Sequence, residues 1–395
     1  MSDQTTPVIL AACRTPIGKY LGSLASFTAP QLGALAIKEA VKRSGIDAAA
    51  IDEVIMGHVL QGGTGQAPGR QAMIFAGLNG VIPAVTINKV CGSGLKAVML
   101  AAQSIRAGDN QCVVAGGMES MSNAPHYLHG IRGGVKIGNQ NILDGMIHDG
   151  LWDVYGNVHM GNLAEYTAKK AGVTRAEQDE FAFHSQRKAS ESIENCRFSK
   201  EIVPVEITSK AGTVKFEKDE GPRKETTLEG LAKLKPSFEK DGTVTAGNAS
   251  TLNDGSSALV VASLAFANAH GLTPLARITG YATGGGEPKD LFFAPIFAVQ
   301  NLMKKSGTAI GDYGLIEANE AFASQCLADA KGLGWDNDRV NVNGGAIALG
   351  HPIGASGARV LTTLLYAMRD RKVATGLATL CLGGGNAVAL SIEAS

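Results

Sequence analysis

Asn88-Lys-Val-Cys-Gly-Ser-Gly-Leu-Lys96 is the stretch that decides how this chain folds. The apolar run before it, Ala84 to Val90, reads as a strand. Gly92 and Gly94 then let the backbone turn sharply. Leu95, Val98, Met99, Ala102 and Ile105 follow at helical spacing, and Cys112-Val-Val-Ala115 reads as a second strand. Strand, turn, helix and strand in that order make a βαβ unit with buried, mostly apolar strands. Cys91 sits on its turn.

The same punctuation returns in the second half of the chain. Ser93-Gly94-Leu95-Lys96 and Ser356-Gly357-Ala358-Arg359 lie 263 positions apart (356 − 93), and Ile105-Arg106 and Met368-Arg369 keep that offset. Val340-Asn-Val-Asn343 takes the place of the first strand, and Leu377-Ala-Thr-Leu-Cys381 that of the second. A duplicated α/β architecture explains the match. Between the copies, 17 of the 41 residues from Lys200 to Lys240 are charged, so that segment reads as a solvated excursion inserted between two more apolar halves.

Composition narrows the function. A chain of 395 residues has room for about two or three domains and a large core. Lys and Arg number 36 and Asp and Glu 36, so no global basic field attracts nucleic acid or an anionic membrane. The charge-free run from Val373 to Ile392 is interrupted by Gly383-Gly384-Gly385-Asn386, and reads as two buried strands around a tight turn rather than a membrane span. The first ten residues contain Asp3 and no basic start, which leads to the expectation of a cytoplasmic protein. The six cysteines include no C-x-x-C pair, and neither zinc-ligand spacing nor a phosphate-binding glycine loop occurs. The chemistry is therefore expected from side chains, with no metal and no bound cofactor.

Cys91, on a glycine-rich turn at a helix N-terminus, is built as a nucleophile: free N–H groups and the helix dipole are expected to lower its pKa. His351 lies on the equivalent turn of the second copy, between Gly350 and Pro352. If the halves pack about a pseudo-twofold axis, it meets Cys91 as a base. Cys381-Leu-Gly-Gly-Gly-Asn386 adds a second thiol beside exposed backbone N–H donors, the ingredients of an oxyanion hole. Asn319-Glu-Ala-Phe-Ala323 follows an apolar run, where Asn319 has the alternative reading of a helix cap.

Taken together, Asn-x-x-Cys-Gly-Ser-Gly at 88–94, Asn-Glu-Ala-Phe at 319–322, Gly-His-Pro-x-Gly at 350–354 and Cys-x-Gly-Gly-Gly at 381–385 resemble the thiolases. The likeness extends to Gly116-Gly-Met-Glu-Ser-Met121 and Ala246-Gly-Asn-Ala-Ser250. It implies a five-layered α-β-α-β-α fold of two duplicated halves. The first is residues 1–120 continued by 251–274, the inserted loop domain is 121–250, and the second half is 275–395. Within the family the chain most resembles the branch that joins two acetyl-CoA into acetoacetyl-CoA and CoA. The resemblance further implies a homotetramer, a dimer of dimers, assembled through Met121 to Gly150.

It also implies roles. Cys91 is the acylated nucleophile, His351 its base, and Cys381 the group that moves the α-proton. Asn319, through a water, and His351 hold the enolate oxygen, and the N–H groups of Cys91 and Gly383 hold the tetrahedral oxyanion. Coenzyme A falls to Leu151, His159, Met160, Arg223, Phe238, Ala246, Ser250, Ala321 and Phe322. Thr251 departs from the glycine of many relatives, and Leu291-Phe292-Phe293 from a Met-Gly pair. A broader-chain 3-ketoacyl-CoA thiolase of fatty-acid degradation keeps the same four motifs. Decarboxylating ketoacyl synthases do not need the second thiol, and a silent scaffold needs none of the set.

Overall fold

The computed structural model describes residues 2–210 and 212–395. Its first half runs β1 (Pro7–Arg14), α1 (Ala29–Ser44), β2 (Glu53–Gly57), α2 (Pro68–Phe75), β3 (Ala84–Ile87), α3 (Ser93–Ala107) and β4 (Cys112–Ser120). The chain then leaves the main sheet, forms α4 (Met160–Ala171) and α5 (Arg175–Glu194), and returns as β5 (Asn253–Ser263). The second half holds β6 (Ala276–Gly285), α6 (Ala294–Ser306), β7 (Leu315–Ala318), α7 (Ala323–Leu333), α8 (Ile353–Arg371), β8 (Thr375–Leu382) and β9 (Asn386–Ala394).

The strands follow the order β7-β8-β9-β6-β1-β5-β4-β2-β3. The first-half block, β1 with β5, β4, β2 and β3, meets the second-half block through the pairs Val8–Arg277 and Ile9–Ala276. Period-2 alternation sorts the side chains into layers. Ile9, Val113, Leu259 and Val261 of one block and Leu380, Val388, Leu390 and Ile392 of the other face the same core, between them α3 and α8. Val8, Leu10, Val114 and Val260 face outward against Ile37, Val41 and Met73 of α1 and α2. On the far side Leu377, Ala387 and Ala389 pack against Ala298, Val299 and Leu302 of α6. Helices, sheet, helices, sheet, helices: five layers result.

The 263-residue offset is visible as a reciprocal contact where α3 crosses α8. A Cβ on Gly94 would lie 2.6 Å from Ala358 N, and one on Gly357 would lie 2.3 Å from Leu95 N. Each glycine thus opposes the residue that follows its own counterpart, as a twofold relation demands. Backbone on both sides leaves nothing flexible to yield. Gly357→Ala is therefore expected to cost at least the ~1–3 kcal/mol of ordinary overpacking, lowering the thermal midpoint by several degrees or leaving the chain insoluble. An unchanged midpoint would show that the two helices can separate freely.

Three local expectations are corrected. The first strand stops at Ile87, because Asn88 Oδ1 accepts the Val90 N–H at 2.9 Å and bends the chain. In the second half the run from Val340 to Asn343 is not a strand: only a single bridge joins Val340 to Ile316. Asn341, at φ 46°, substitutes its side chain for the missing strand: Oδ1 accepts Ala318 N–H at 2.9 Å and Nδ2 donates to Ala318 O at 2.8 Å. The charged excursion, finally, is not wholly solvated. Its Glu201 and Asp219 are buried against Arg14 of β1, with Nε to Glu201 at 2.6 Å and a two-pronged pair to Asp219 at 2.7 and 2.9 Å. The run from Val373 to Ile392 forms β8 and β9, an antiparallel hairpin.

Candidate active site

Each of the two candidate turns is set by the helix that follows it. Ahead of α3, Ser93 Oγ accepts the Lys89 N–H at 2.8 Å and donates to Val90 O at 2.7 Å. Val90 sits in the left-handed region at φ 46°, which places Cys91 at the apex. Gly92 has a reason beyond flexibility: a Cβ there would lie 2.2 Å from Leu382 Cδ2. Its absence lets the end of β8, with Cys381 and Gly383, come down onto the Cys91 turn.

Ahead of α8, Gly350 adopts φ 108° against the Asn253 side chain, whose Oδ1 accepts the His351 N–H at 2.9 Å. The buried carboxylate of Glu119, at the end of β4, accepts Gly354 N–H at the start of α8 at 2.8 Å. It also accepts Val59 and Leu60 N–H at 3.2 and 3.1 Å. A first-half carboxylate thus caps the second-half helix, favourable at a positive dipole end. The two halves are fastened beside the site.

Cys91, His351, Cys381 and Gly383 all line one cavity of about 530 Å³. Asn319 is fully buried just behind it, its Nδ2 3.5 Å from His351 Nε2. It does not cap a helix, since Phe322 is the residue at the start of α7. Its Oδ1 has no hydrogen-bond partner among the described residues, which suits an acceptor reserved for water or substrate.

The electrostatics differ from the sequence expectation. Desolvation pushes the Cys91 thiol up to about 12, although the N–H groups of Cys91 and Gly383 oppose the rise, and Glu119 adds to it. Burial outweighs the helix N-terminus here. Burial, and then the thiol of Cys91 and the carboxyl of Asp329, raise Cys381 well above the usual thiol range. Burial, then Arg359, holds His351 down to about 3. The resting site is therefore two neutral thiols and a neutral imidazole.

All nine residues assigned to coenzyme A line the same cavity. Leu151, His159, Met160, Arg223 and Phe238 come from the segment between β4 and β5, the last two from its charged stretch. His159 accepts the Gly161 N–H on Nδ1 at 3.0 Å, caps α4 and stacks on Phe238 with ring centres 4.9 Å apart. Ala246 and Ser250 lie on the segment leading to β5, and Ser250 N–H donates to Ala321 O at 3.0 Å. Ala321 and Phe322 complete the wall, with Phe292 edge-on to Phe322 at 5.3 Å. Phe292 lines the cavity; Phe293 does not, and lies instead under the Lys170 ammonium at 5.1 Å. Thr251 lines it too, with its hydroxyl donated to Asn253 Oδ1 at 2.8 Å.

Sequence reasoning missed Glu119 and Asn253, whose work is to hold backbone N–H groups. Met146 and Ile147 also reach the cavity from a segment read only as an assembly loop. Among the described residues, no group of three or more His, Cys, Asp or Glu is placed to hold a metal ion.

Comparison with known proteins gives the family. The thiolase N-terminal domain matches residues 7–265 and the thiolase C-terminal domain residues 272–394. The chain belongs to the thiolase family. It is 54% identical to the acetyl-CoA acetyltransferase of Pseudomonas aeruginosa over 386 residues, covering 98% of each chain. It is likewise 54% identical to the acetyl-CoA acetyltransferase of Escherichia coli K12, again over 98% of each. The crystal structure of the Bacillus anthracis acetyl-CoA acetyltransferase superimposes with a TM-score of 0.97 at 43% identity, covering 99% of both chains.

Proposed function

We propose that this chain is an acetyl-CoA C-acetyltransferase. It joins two acetyl-CoA reversibly into acetoacetyl-CoA and CoA through an acetyl group on Cys91. The observation that carries this is the opening of two thiols and one imidazole onto a single cavity. One thiol takes the acyl group. The second supplies what a non-decarboxylating condensation needs, a base for a carbon acid.

The proton positions order the steps. His351 Nε2 takes the Cys91 proton as sulfur attacks the first thioester, and the N–H groups of Cys91 and Gly383 hold the oxyanion. Cys381, still protonated, gives its proton to the departing coenzyme A sulfur and becomes a thiolate. That thiolate removes an α-proton from the second acetyl-CoA. The enolate oxygen is held by His351, now carrying a proton on Nε2, and by a water on Asn319. Attack of the carbanion on acetyl-Cys91 forms acetoacetyl-CoA, and the Cys91 thiolate recovers its proton from His351. Every group ends as it began. The scheme uses coenzyme A thioesters as substrates and calls on no metal or further cofactor. Arg223 serves the phosphates near the adenosine end, and Ser250 a pantetheine amide.

The aromatic wall of the cavity supports short acyl chains. Phe292 is buried in the cavity wall against Phe322 and occupies volume that a longer tail would need. A methylene gains ~0.8 kcal/mol on burial where there is room, and overpacking reverses the sign where there is not. Acetoacetyl-CoA is expected to be cleaved with higher kcat/KM than 3-ketooctanoyl-CoA in thiolysis, followed by loss of enolate absorbance. Equal or rising kcat/KM with chain length would instead favour the broader-chain reading.

A homotetrameric, cytoplasmic enzyme fits this reading. The segment from His129 to Leu143 is mostly exposed, with Val135 and Ile142 each about two-thirds exposed, as expected of apolar side chains that a neighbouring subunit would cover. Light scattering tests it, and a stable monomer at micromolar concentration would exclude it. Among the described residues, no helix is long and apolar enough to cross a membrane.

A further inference from the structure

The duplicated serine of the two Ser-Gly punctuation marks hydrogen-bonds the turn before it in each half, through different partners. In the first half its role is unambiguous. A backbone N–H only donates, so Ser93 Oγ must accept from Lys89 N–H at 2.8 Å, and its own hydrogen goes to Val90 O at 2.7 Å. In the second half Ser356 Oγ lies 2.9 Å from Pro352 O and 2.6 Å from His351 Nδ1. Ser356 lies in the first turn of α8 with Pro352 just before that helix, while Ser93 opens α3, and the two helices obey the reciprocal contact described above.

We infer that Ser356 is a positioning residue that fixes the tautomer of His351. It gives its hydrogen to Pro352 O and so accepts from Nδ1–H, leaving Nε2 as the bare nitrogen. A hydroxyl has one hydrogen to give, and the ring nitrogen that carries the proton is set by the bond the other one makes. Both groups are buried, so water does not compete. Nε2 then faces Asn319 and the cavity with a lone pair, the form needed to take the Cys91 proton. The inference rests on the proposed function for its catalytic consequence, but not for the tautomer itself.

The test is a nitrogen-15 spectrum of the full-length protein labelled at histidine. The His351 signals are identified by their loss in His351→Asn. Near pH 7.5 the wild type should show Nδ1 protonated and Nε2 bare. In Ser356→Ala the two tautomers should mix. The kcat for acetoacetyl-CoA thiolysis should fall about 10- to 100-fold, part of the 10²–10⁴ a positioned base contributes, with KM for coenzyme A nearly unchanged. Ser356→Thr, which keeps the hydroxyl, should restore both tautomer and rate. A wild-type Nε2–H tautomer overturns the inference, as does Ser356→Ala with wild-type kcat, or slow Ala and Thr variants with an unchanged tautomer. If both variants are insoluble, the wild-type spectrum still decides. Failure of the wild type to cleave acetoacetyl-CoA would overturn the proposed function and leave the tautomer result standing.

Discussion

Cys91→Ala is expected to abolish both acetyl transfer and condensation, while Cys381→Ser keeps the first and loses most of the second. Acyl transfer to sulfur needs a nucleophile, a base and an oxyanion hole, but no carbon acid. Cys381 only assists the leaving sulfur in that step but is indispensable where an α-proton must leave, and serine there is too weak an acid–base partner to replace a thiol. Condensation by Cys381→Ser should fall by the ~10²–10⁴-fold typical of losing a positioned acid–base group. Exchange of labelled coenzyme A into acetyl-CoA reads the first half-reaction separately. That exchange should persist, slowed only as far as Cys381 assists the leaving sulfur. Exchange surviving in Cys91→Ala and vanishing in Cys381→Ser would reverse the two assignments.

His351→Ala should impair both half-reactions, because one nitrogen serves Cys91 and then the enolate oxygen. The expected loss is again about 10²–10⁴-fold in each. A pH signature accompanies it. Burial holds His351 down to about 3, and a base whose pKa is lowered stays unprotonated as the medium becomes acidic. Between pH 6 and 7 the wild-type acetylation rate should therefore lack the inflection of an ordinary histidine near 6.5. An inflection there that disappears in His351→Ala would show that the ring titrates as if exposed.

Much of this was legible in the sequence, for a physical reason. The core pattern repeats at a fixed offset, so the glycines that allow α3 and α8 to cross are visible as punctuation before any coordinates exist. The four motifs that make the cavity are local, each a turn whose chemistry is written in adjacent residues. What was hidden depends on contacts distant in sequence. Asn341 replaces a strand by pairing its amide with Ala318, a substitution no apolar run can reveal. Glu119 looks like any acidic residue until Gly354, 235 positions away, is found on its oxygen. The elevated Cys91 thiol follows from the depth of the site, whereas the turn sequence shows only the helix end that opposes it. Ser356 was legible as a repeat but not as a partner of His351.

The central claim is that two thiols share one cavity but only one carries the acyl group. Brief mixing of the wild-type protein with acetyl-CoA, an acid quench and peptide mass mapping test it most directly. The account predicts a single acetyl group per subunit, on the peptide containing Cys91, with the peptide containing Cys381 unmodified. Acetyl on Cys381 with Cys91 free, or no covalent acetyl-enzyme at all while acetoacetyl-CoA is still formed, would contradict it.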